Sequence, residues 1–336
     1  MIKINKIIFF AKRLLTDIQE NKSLETIIDT KNTLSYYYIN FKEQLINTRG
    51  GNKSFLFDNN GIPQIHSYID VVENAGYYYY PITIGQYALA VFHSYLDTND
   101  EEKKAHFLRI AEWFYNNRTE DYKLGCYWLT DVEKPEYGVT QAWKSGFSQS
   151  RGLSVLLRAW QLTGDEKYLN VAKKALIPFT LDIKDGGVAV DLNDAPIYEE
   201  YVAAAPTRVL DGHGFCLFGI YDAVRAITPE IDHEAHHLAK TIFDKGIEGL
   251  EKRLPDYDMG YWMKFNLCEL DFYPQNDPCT IGYLRLVAAQ LSILHQITGN
   301  ETLAHYAKKM KDYDRIPNII KMYKHKFVAL RKMNRL

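Results

Sequence analysis

Four times along the 336 residues, a long apolar stretch, a short turn and an amphipathic stretch follow one another. Residues 84–95, the turn Asp97-Thr98-Asn99-Asp100 and residues 107–115 make the first copy. Residues 148–162, Thr163-Gly164-Asp165 and residues 168–179 make the second. The third is 214–227, Thr228-Pro229 and 235–254; the fourth is 283–297, Thr298-Gly299-Asn300 and 302–313. The turn threonines recur 65, 65 and 70 residues apart. Self-similarity of this kind predicts stacked helical hairpins. The first helix of each copy is apolar nearly all round, as an inner helix should be, and the second is amphipathic, as an outer one should be. Between the copies lie aromatic, polar connections at 125–144, 185–211 and 256–282, and connections of that length usually carry function. The expected fold is mainly α, an incomplete (α/α) toroid of stacked hairpins. Short β pieces, such as Gly187-Val188-Ala189-Val190 and Gly260-Tyr261-Trp262-Met263, are expected in the connections over the cleft.

The rest of the chain divides around this frame. Residues 1–50 are expected as a helical extension, with a basic amphipathic helix over 1–18 and a second helix over 22–48 carrying Leu34, Tyr38 and Phe41. Residues 51–314 form the toroid and the catalytic domain. Residues 315–336 form a basic amphipathic tail with no acid after Asp314. Lys plus Arg number 40 and Asp plus Glu 42, so nucleic acid is not an obvious partner. Cys126, Cys216, Cys268 and Cys279 show no CxxC spacing, and neither a zinc site nor a disulfide framework is expected. His233, His236 and His237 read as an exposed helical face. Reduced thiols, and an apolar run near the N-terminus too short for a leader or a span, make a cytoplasmic protein the expectation. The basic termini suit a peripheral membrane contact.

The densest chemistry lies between Ile197 and Gly214, IYEEYVAAAPTRVLDGHG. Tyr198-Glu199-Glu200-Tyr201 suits a short extended segment, and a helix starts near Val209. Carboxylates and phenols beside a helix start can do proton chemistry in a cleft. On spacing alone, a polar connection with its glutamates in water is the commoner reading.

Three motifs resolve that choice by resemblance. They are Tyr80-Pro81-Ile82-Thr83-Ile84-Gly85-Gln86-Tyr87, Ser148-Gln149 followed by Gly152-Leu153-Ser154-Val155-Leu156, and Tyr198-Glu199-Glu200-Tyr201 ten residues before Asp211-Gly212. In order and spacing, from about Phe55 to about Tyr313, they resemble the C-terminal helical domain of the D-glucuronyl C5-epimerases. The resemblance implies an enzyme that inverts C5 of glucuronate to iduronate within a glycan. It places Glu200, Tyr201, Tyr261 and Tyr283 in catalysis. Lys264 stands where the family has a carboxylate-binding arginine, with Arg208 as helper, and Gln86, Tyr87, Gln149 and Asp211 count among the substrate-facing residues. The chain departs from the pattern at Lys264, which loses bidentate binding. Asp211 stands for an asparagine and so adds a negative charge, and Val202-Ala203-Ala204-Ala205 replaces a Pro/Thr-rich segment. The family's β-rich N-terminal portion is not expected here.

The chemistry explains why such residues are needed. The C5 proton is very weakly acidic while the neighbouring carboxylate is charged, so a cation must neutralise that charge as the enediolate forms. Two groups on opposite faces then exchange roles as base and acid, and Glu200 with Tyr283 fits that requirement. Burial among tyrosines and beside Glu199 should raise Glu200 from its ordinary value near 4.3. Tyr201 and Tyr261 can donate to the developing oxyanion, and no metal or organic cofactor is called for. The same scaffold could host a lyase, a toroidal glycoside hydrolase with paired carboxylates, or a glycan-binding module without activity. The partner in every case is a uronate-containing glycan.

Overall fold

The computed structural model of the protein describes residues 12, 14–16, 18, 24–43, 48–49, 52–53, 55–66 and 76–333. A two-stranded hairpin, β1 (Thr48–Arg49) with β2 (Asn52–Lys53), precedes a three-stranded antiparallel sheet. The sheet has the order β3 (Phe55–Phe57), β4 (Pro63–His66), β5 (Tyr77–Tyr79). Pro81 then opens α1 (Pro81–Thr98), and Tyr80 before it is extended at φ −122°, as a residue preceding proline must be. The second helix, α2 (Glu101–Asn116), starts at the cap Asp100, whose carboxylate accepts from the Glu102 N–H at 2.8 Å. After the hairpin β6 (Thr119–Asp121) and β7 (Gly125–Tyr127) come α3 (Gly146–Thr163) and α4 (Glu166–Ala175). A second small hairpin, β8 (Ala189–Val190) with β9 (Ile197–Tyr198), leads to α5 (Leu210–Ala226) and α6 (His233–Tyr257). The chain closes with α7 (Ile281–Thr298), α8 (Glu301–Tyr313) and α9 (Ile316–Lys332).

The four expected hairpins are all present. Each odd helix packs on its even partner, and α1, α3, α5 and α7 pack side by side in an arc that α7 and α1 do not close. The result is a mainly helical, incomplete toroid with small β pieces in its connections. The inner helices cross closely where the sequence supplies glycine: a Cβ on Gly219 of α5 would lie 2.5 Å from the Ser150 Cα of α3.

One stretch differs from expectation, and another lies mostly outside the described residues. The amphipathic helix read over 1–18 lies mostly outside the described residues, of which 12, 14–16 and 18 are helical. Residues 24–42 of the helical extension read over 1–50 are not helical. They form an extended loop closed on itself, with the Ile27 N–H donating to Tyr38 O and the Asn40 N–H to Glu25 O, both at 2.9 Å. The physical reason is that neighbouring side chains must point in different directions into the toroid. The Tyr37 N–H donates to His93 Nε2 at 2.6 Å, and the Tyr38 hydroxyl donates to Asp222 at 2.8 Å. Asp222 also pairs with Arg158 at 2.6 Å, both fully buried, and Arg225 pairs with Asp29 at 2.8 Å. The segment therefore belongs to the core and joins α1, α3 and α5 from inside the arc. The basic amphipathic tail forms α9, and its Ile319 and Met322 are buried in the same core.

Candidate active site

Residues 199–211 build the site. Its first element is the stretch after β9, which passes the start of α3, where the Gly146 N–H donates to Glu199 O at 2.7 Å. The two adjacent glutamates then part ways. Glu199 is fully buried and accepts from the Thr207 N–H at 3.0 Å and from the Arg208 N–H at 3.0 and 3.1 Å, as well as from the Thr207 hydroxyl. Burial raises its pKa to about 7 against those hydrogen bonds. Its oxygens are committed to holding the turn that precedes α5.

Glu200 is buried too, but its Oε2 has no hydrogen-bond partner. Burial pushes its carboxyl up to about 7, with the Tyr201 side chain and the Lys134 charge pulling the other way. The carboxyl lies against the first turn of α5, where a Cβ on Gly212 would come 2.6 Å from Oε2. Beside it, Asp211 is buried and its carboxyl is held well above the usual range, first by burial and then by the Glu200 charge. Burial is the first cause of the Glu200 shift, as expected, but the acid whose charge is linked to that of Glu200 is Asp211 and not the expected Glu199.

Aromatic rings frame this pair. Tyr201 stacks on Tyr137 at 4.9 Å and meets Trp143 at 5.2 Å, and Tyr137 stacks on Tyr273 at 5.4 Å. The Lys134 ammonium lies 4.6 Å over the Tyr201 ring and pairs with Glu136 at 3.0 Å. Burial and the charges of Glu200, Tyr80, Tyr137 and Tyr283 keep the Tyr201 hydroxyl protonated. Tyr283, at the start of α7, lines a small pocket with Asp211, Lys264 and Phe265, its ring 5.2 Å from that of Phe265. Lys264 makes no ion pair among the described residues. A wider groove runs along Trp143, Lys144, Val202 and Ala203 and so adjoins Tyr201.

The structure thus brings Glu200, Tyr201, Asp211, Lys264 and Tyr283 into one neighbourhood. Most of the other expected residues have different partners. Gln149 is fully buried, donates to Cys126 O at 2.8 Å and Ala175 O at 3.1 Å, and accepts from the Trp128 N–H at 3.2 Å. It ties β7 and α4 to α3 and opens on no cavity. Tyr87 packs against Phe55, Phe57 and His106, and its hydroxyl donates to Glu43 at 3.2 Å. Arg208 is already held between Asp191 at 2.9 Å and Glu269 at 2.6 Å, so its charge is met. Gln86 is half-buried in α1, and its side chain makes no hydrogen bond among the described residues. Tyr261 is buried against α9, where its hydroxyl bonds His325 Nδ1 and Lys321 lies 3.8 Å over its ring. Lys134 and Tyr137 were not singled out from sequence. The signal available for them was the long aromatic connection 125–144, which holds Lys134-Pro135-Glu136-Tyr137.

Residues 121–312 match the family described as D-glucuronyl C5-epimerase C-terminus. The chain belongs to this family. A D-glucuronyl C5-epimerase of Caenorhabditis elegans is 32% identical over 174 residues, which are 48% of this chain and 27% of that protein. The chain therefore spans about a quarter of the length of that relative. An uncharacterized protein of Methanocaldococcus jannaschii is 24% identical over 277 residues, 77% of this chain and 85% of the other. Among solved structures, a GH76 alpha-mannanase of Bacteroides thetaiotaomicron aligns with a TM-score of 0.45 at 12% identity, over 89% of this chain and 82% of that one. The epimerase-family match includes Glu200, Tyr201, Asp211, Lys264 and Tyr283, and also Lys134 and Tyr137. It ends before α9.

Among the described residues no cluster of three or more histidines, cysteines or acids is placed to hold a metal, and His233 and His237 are exposed. No helix among them is long and apolar enough to cross a membrane.

Proposed function

We propose that the chain inverts C5 of a uronic acid residue, glucuronate to iduronate, within a glycan, by removing the C5 proton and returning it from the opposite face. The observation that carries this reading is the contrast between the two buried glutamates. Glu199 is consumed by the turn, whereas Glu200 keeps an oxygen free, has a pKa near neutrality, and sits among phenols. A carboxylate with pKa about 7 is a stronger base than an ordinary one and is still half ionised at neutral pH.

In this reading Glu200 takes the C5 proton and Tyr283 delivers one from the other side, the roles reversing for the other epimer. Lys264, unpaired beside Asp211 and Tyr283, takes the substrate carboxylate as a single cation and so lacks the fork of an arginine. The negative charge expected at Asp211 is relieved by its raised pKa. A protonated Asp211 donates one hydrogen bond, as the asparagine amide of the family would, and can stabilise the enediolate. Tyr201 donates from the Glu200 side. Lys134, over the Tyr201 ring, adds positive potential. The groove beside Trp143 and Lys144 gives the neighbouring sugars a place to lie.

The test is incubation of uronate glycans with the protein in deuterated water, read by NMR. Deuterium at C5 without chain cleavage is the expected result. An absorbing unsaturated product would replace the reading with a lyase and new reducing ends with a hydrolase. Binding with no exchange would leave a glycan-binding module.

A further inference from the structure

The family match stops at residue 312, and α9 lies beyond it. One side of this helix is docked. Ile319, Met322, Ala329 and Leu330 are buried, Lys326 pairs with Asp277 at 2.6 Å, and Lys332 reaches the Tyr273 carbonyl at 3.4 Å. The other side faces solvent with a composition that water does not explain. Ile316, Ile320 and Val328 are 52%, 41% and 66% exposed, and their spacing puts them on the side of the helix away from the core. Between and beside them stand Lys324 and Arg331, with Lys321 at the edge over the Tyr261 ring; all three are exposed, and none pairs with a carboxylate among the described residues. From Arg315 to Leu336 the chain has no acid at all.

We infer that the outer face of α9 docks on an anionic membrane surface. Exposed aliphatics enter the boundary between headgroups and acyl chains, while lysine and arginine stems lie along it and place their charges among the phosphates. A polyanionic glycan would also attract the cations, but it offers nothing to Ile316, Ile320 and Val328, and this favours the bilayer. The docked side of α9 touches Tyr261, and Lys326 lies 5.7 Å from the centre of the Phe265 ring, so the bilayer would lie about one helix diameter, ~10 Å, from the rim of the candidate site.

The full-length protein is to be floated with vesicles of phosphatidylcholine alone and with vesicles containing phosphatidylserine. Binding to the anionic vesicles only, weakened by salt, is expected. The triple variant Lys321→Gln, Lys324→Gln, Arg331→Gln should lose about fivefold per cation, on the order of a hundredfold together. The triple variant Ile316→Ser, Ile320→Ser, Val328→Ser should lose binding while the protein stays folded with only a modest fall in its unfolding midpoint, because these side chains are only partly covered. Absence of binding to anionic vesicles would overturn the inference, and so would vesicle binding that ignores the aliphatic changes. Binding of the cationic face to a soluble uronate glycan in place of vesicles would also overturn it. None of these readings depends on catalytic activity.

Discussion

Two neighbouring glutamates of like burial have different fates, decided by what reaches them. Glu199 meets two backbone N–H groups and a threonine hydroxyl, whereas Glu200 meets the glycine at the start of α5. Glu200→Gln keeps the shape and removes the proton acceptor, so C5 exchange should fall about a hundredfold to ten-thousandfold. Tyr283→Phe should do comparable damage, and the double variant should be little worse than either, because groups acting as a unit are not additive. A Glu200→Gln protein exchanging at the parent rate would remove the assignment. The pH profile follows from the raised pKa. The base must be ionised, so exchange should rise as pH rises through about 7. Asp211→Asn keeps a donor, and because its raised pKa leaves Asp211 neutral it removes no charge, so activity should persist with its midpoint near that of the parent. A midpoint that moves to lower pH would show Asp211 to be ionised, its charge having raised Glu200. Lys264→Met should nearly abolish exchange, whereas Lys264→Arg should keep it.

The elements do the placing. Helix α5 begins where Glu200 needs room, and Gly212 supplies it. Gly212→Ala puts a methyl 2.5 Å from the Glu200 Cβ, and because that atom cannot rotate away the backbone at Glu200 must shift. Alanine favours helix over glycine by only about 1 kcal/mol, too little to offset such a clash in the core, so stability should fall somewhat and exchange should drop sharply. Equal activity in a folded Gly212→Ala protein would show that the Glu200 position is not critical. The hairpins that carry these elements were legible because their signal is local. Caps such as Asp100 and Ser145, the αL glycine at Gly164 and the apolar periodicity all lie within a few residues of what they specify. The stretch 24–42 was misread because Leu34, Tyr38 and Phe41 mimic helical spacing. Its true partners, His93, Arg158 and Asp222, lie far along the chain.

At the scale of the molecule, buried polar ties hold the arc together. Asp222 receives Arg158, Tyr38 and Arg225. Asp222→Ala would leave Arg158 buried without its partner and should cost about 3–5 kcal/mol, measured by denaturant unfolding. A loss below 1 kcal/mol would mean that water or repacking replaces the carboxylate. The pH dependence of stability has two opposing parts. Burial lowers His93 to about 3 and His213 to about 4, so each costs stability as pH falls below the ordinary histidine range. His213 can satisfy both neighbours only when neutral, accepting from the Tyr198 N–H at 3.0 Å and donating to Gly246 O at 2.9 Å. Glu199, Glu200 and Asp211 are raised instead, so their contribution grows as pH falls from about 7 and is complete below the ordinary carboxylate range. Unfolding midpoints should therefore hold between about pH 7 and pH 4.5 and fall below that. A steady decline beginning at pH 6.5 would show that the acids are not raised.

By itself the sequence determined the hairpins, their order, the connections that carry the chemistry, and the Glu199–Glu200 motif, because periodicity, caps and turns act over a few residues. It could not say which of the two glutamates is free, since Thr207 and Gly212 reach them only once the turn before α5 is closed. Nor could it place Gln149, Tyr87 and Arg208, whose hydrogen bonds and ion pairs are met by Cys126 and Ala175, Glu43, and Asp191 with Glu269. Burial and partner choice are properties of packed surfaces. The tertiary structure alone brought Lys134 and Tyr137 to Tyr201, laid residues 24–43 inside the arc, and docked α9 beside Tyr261.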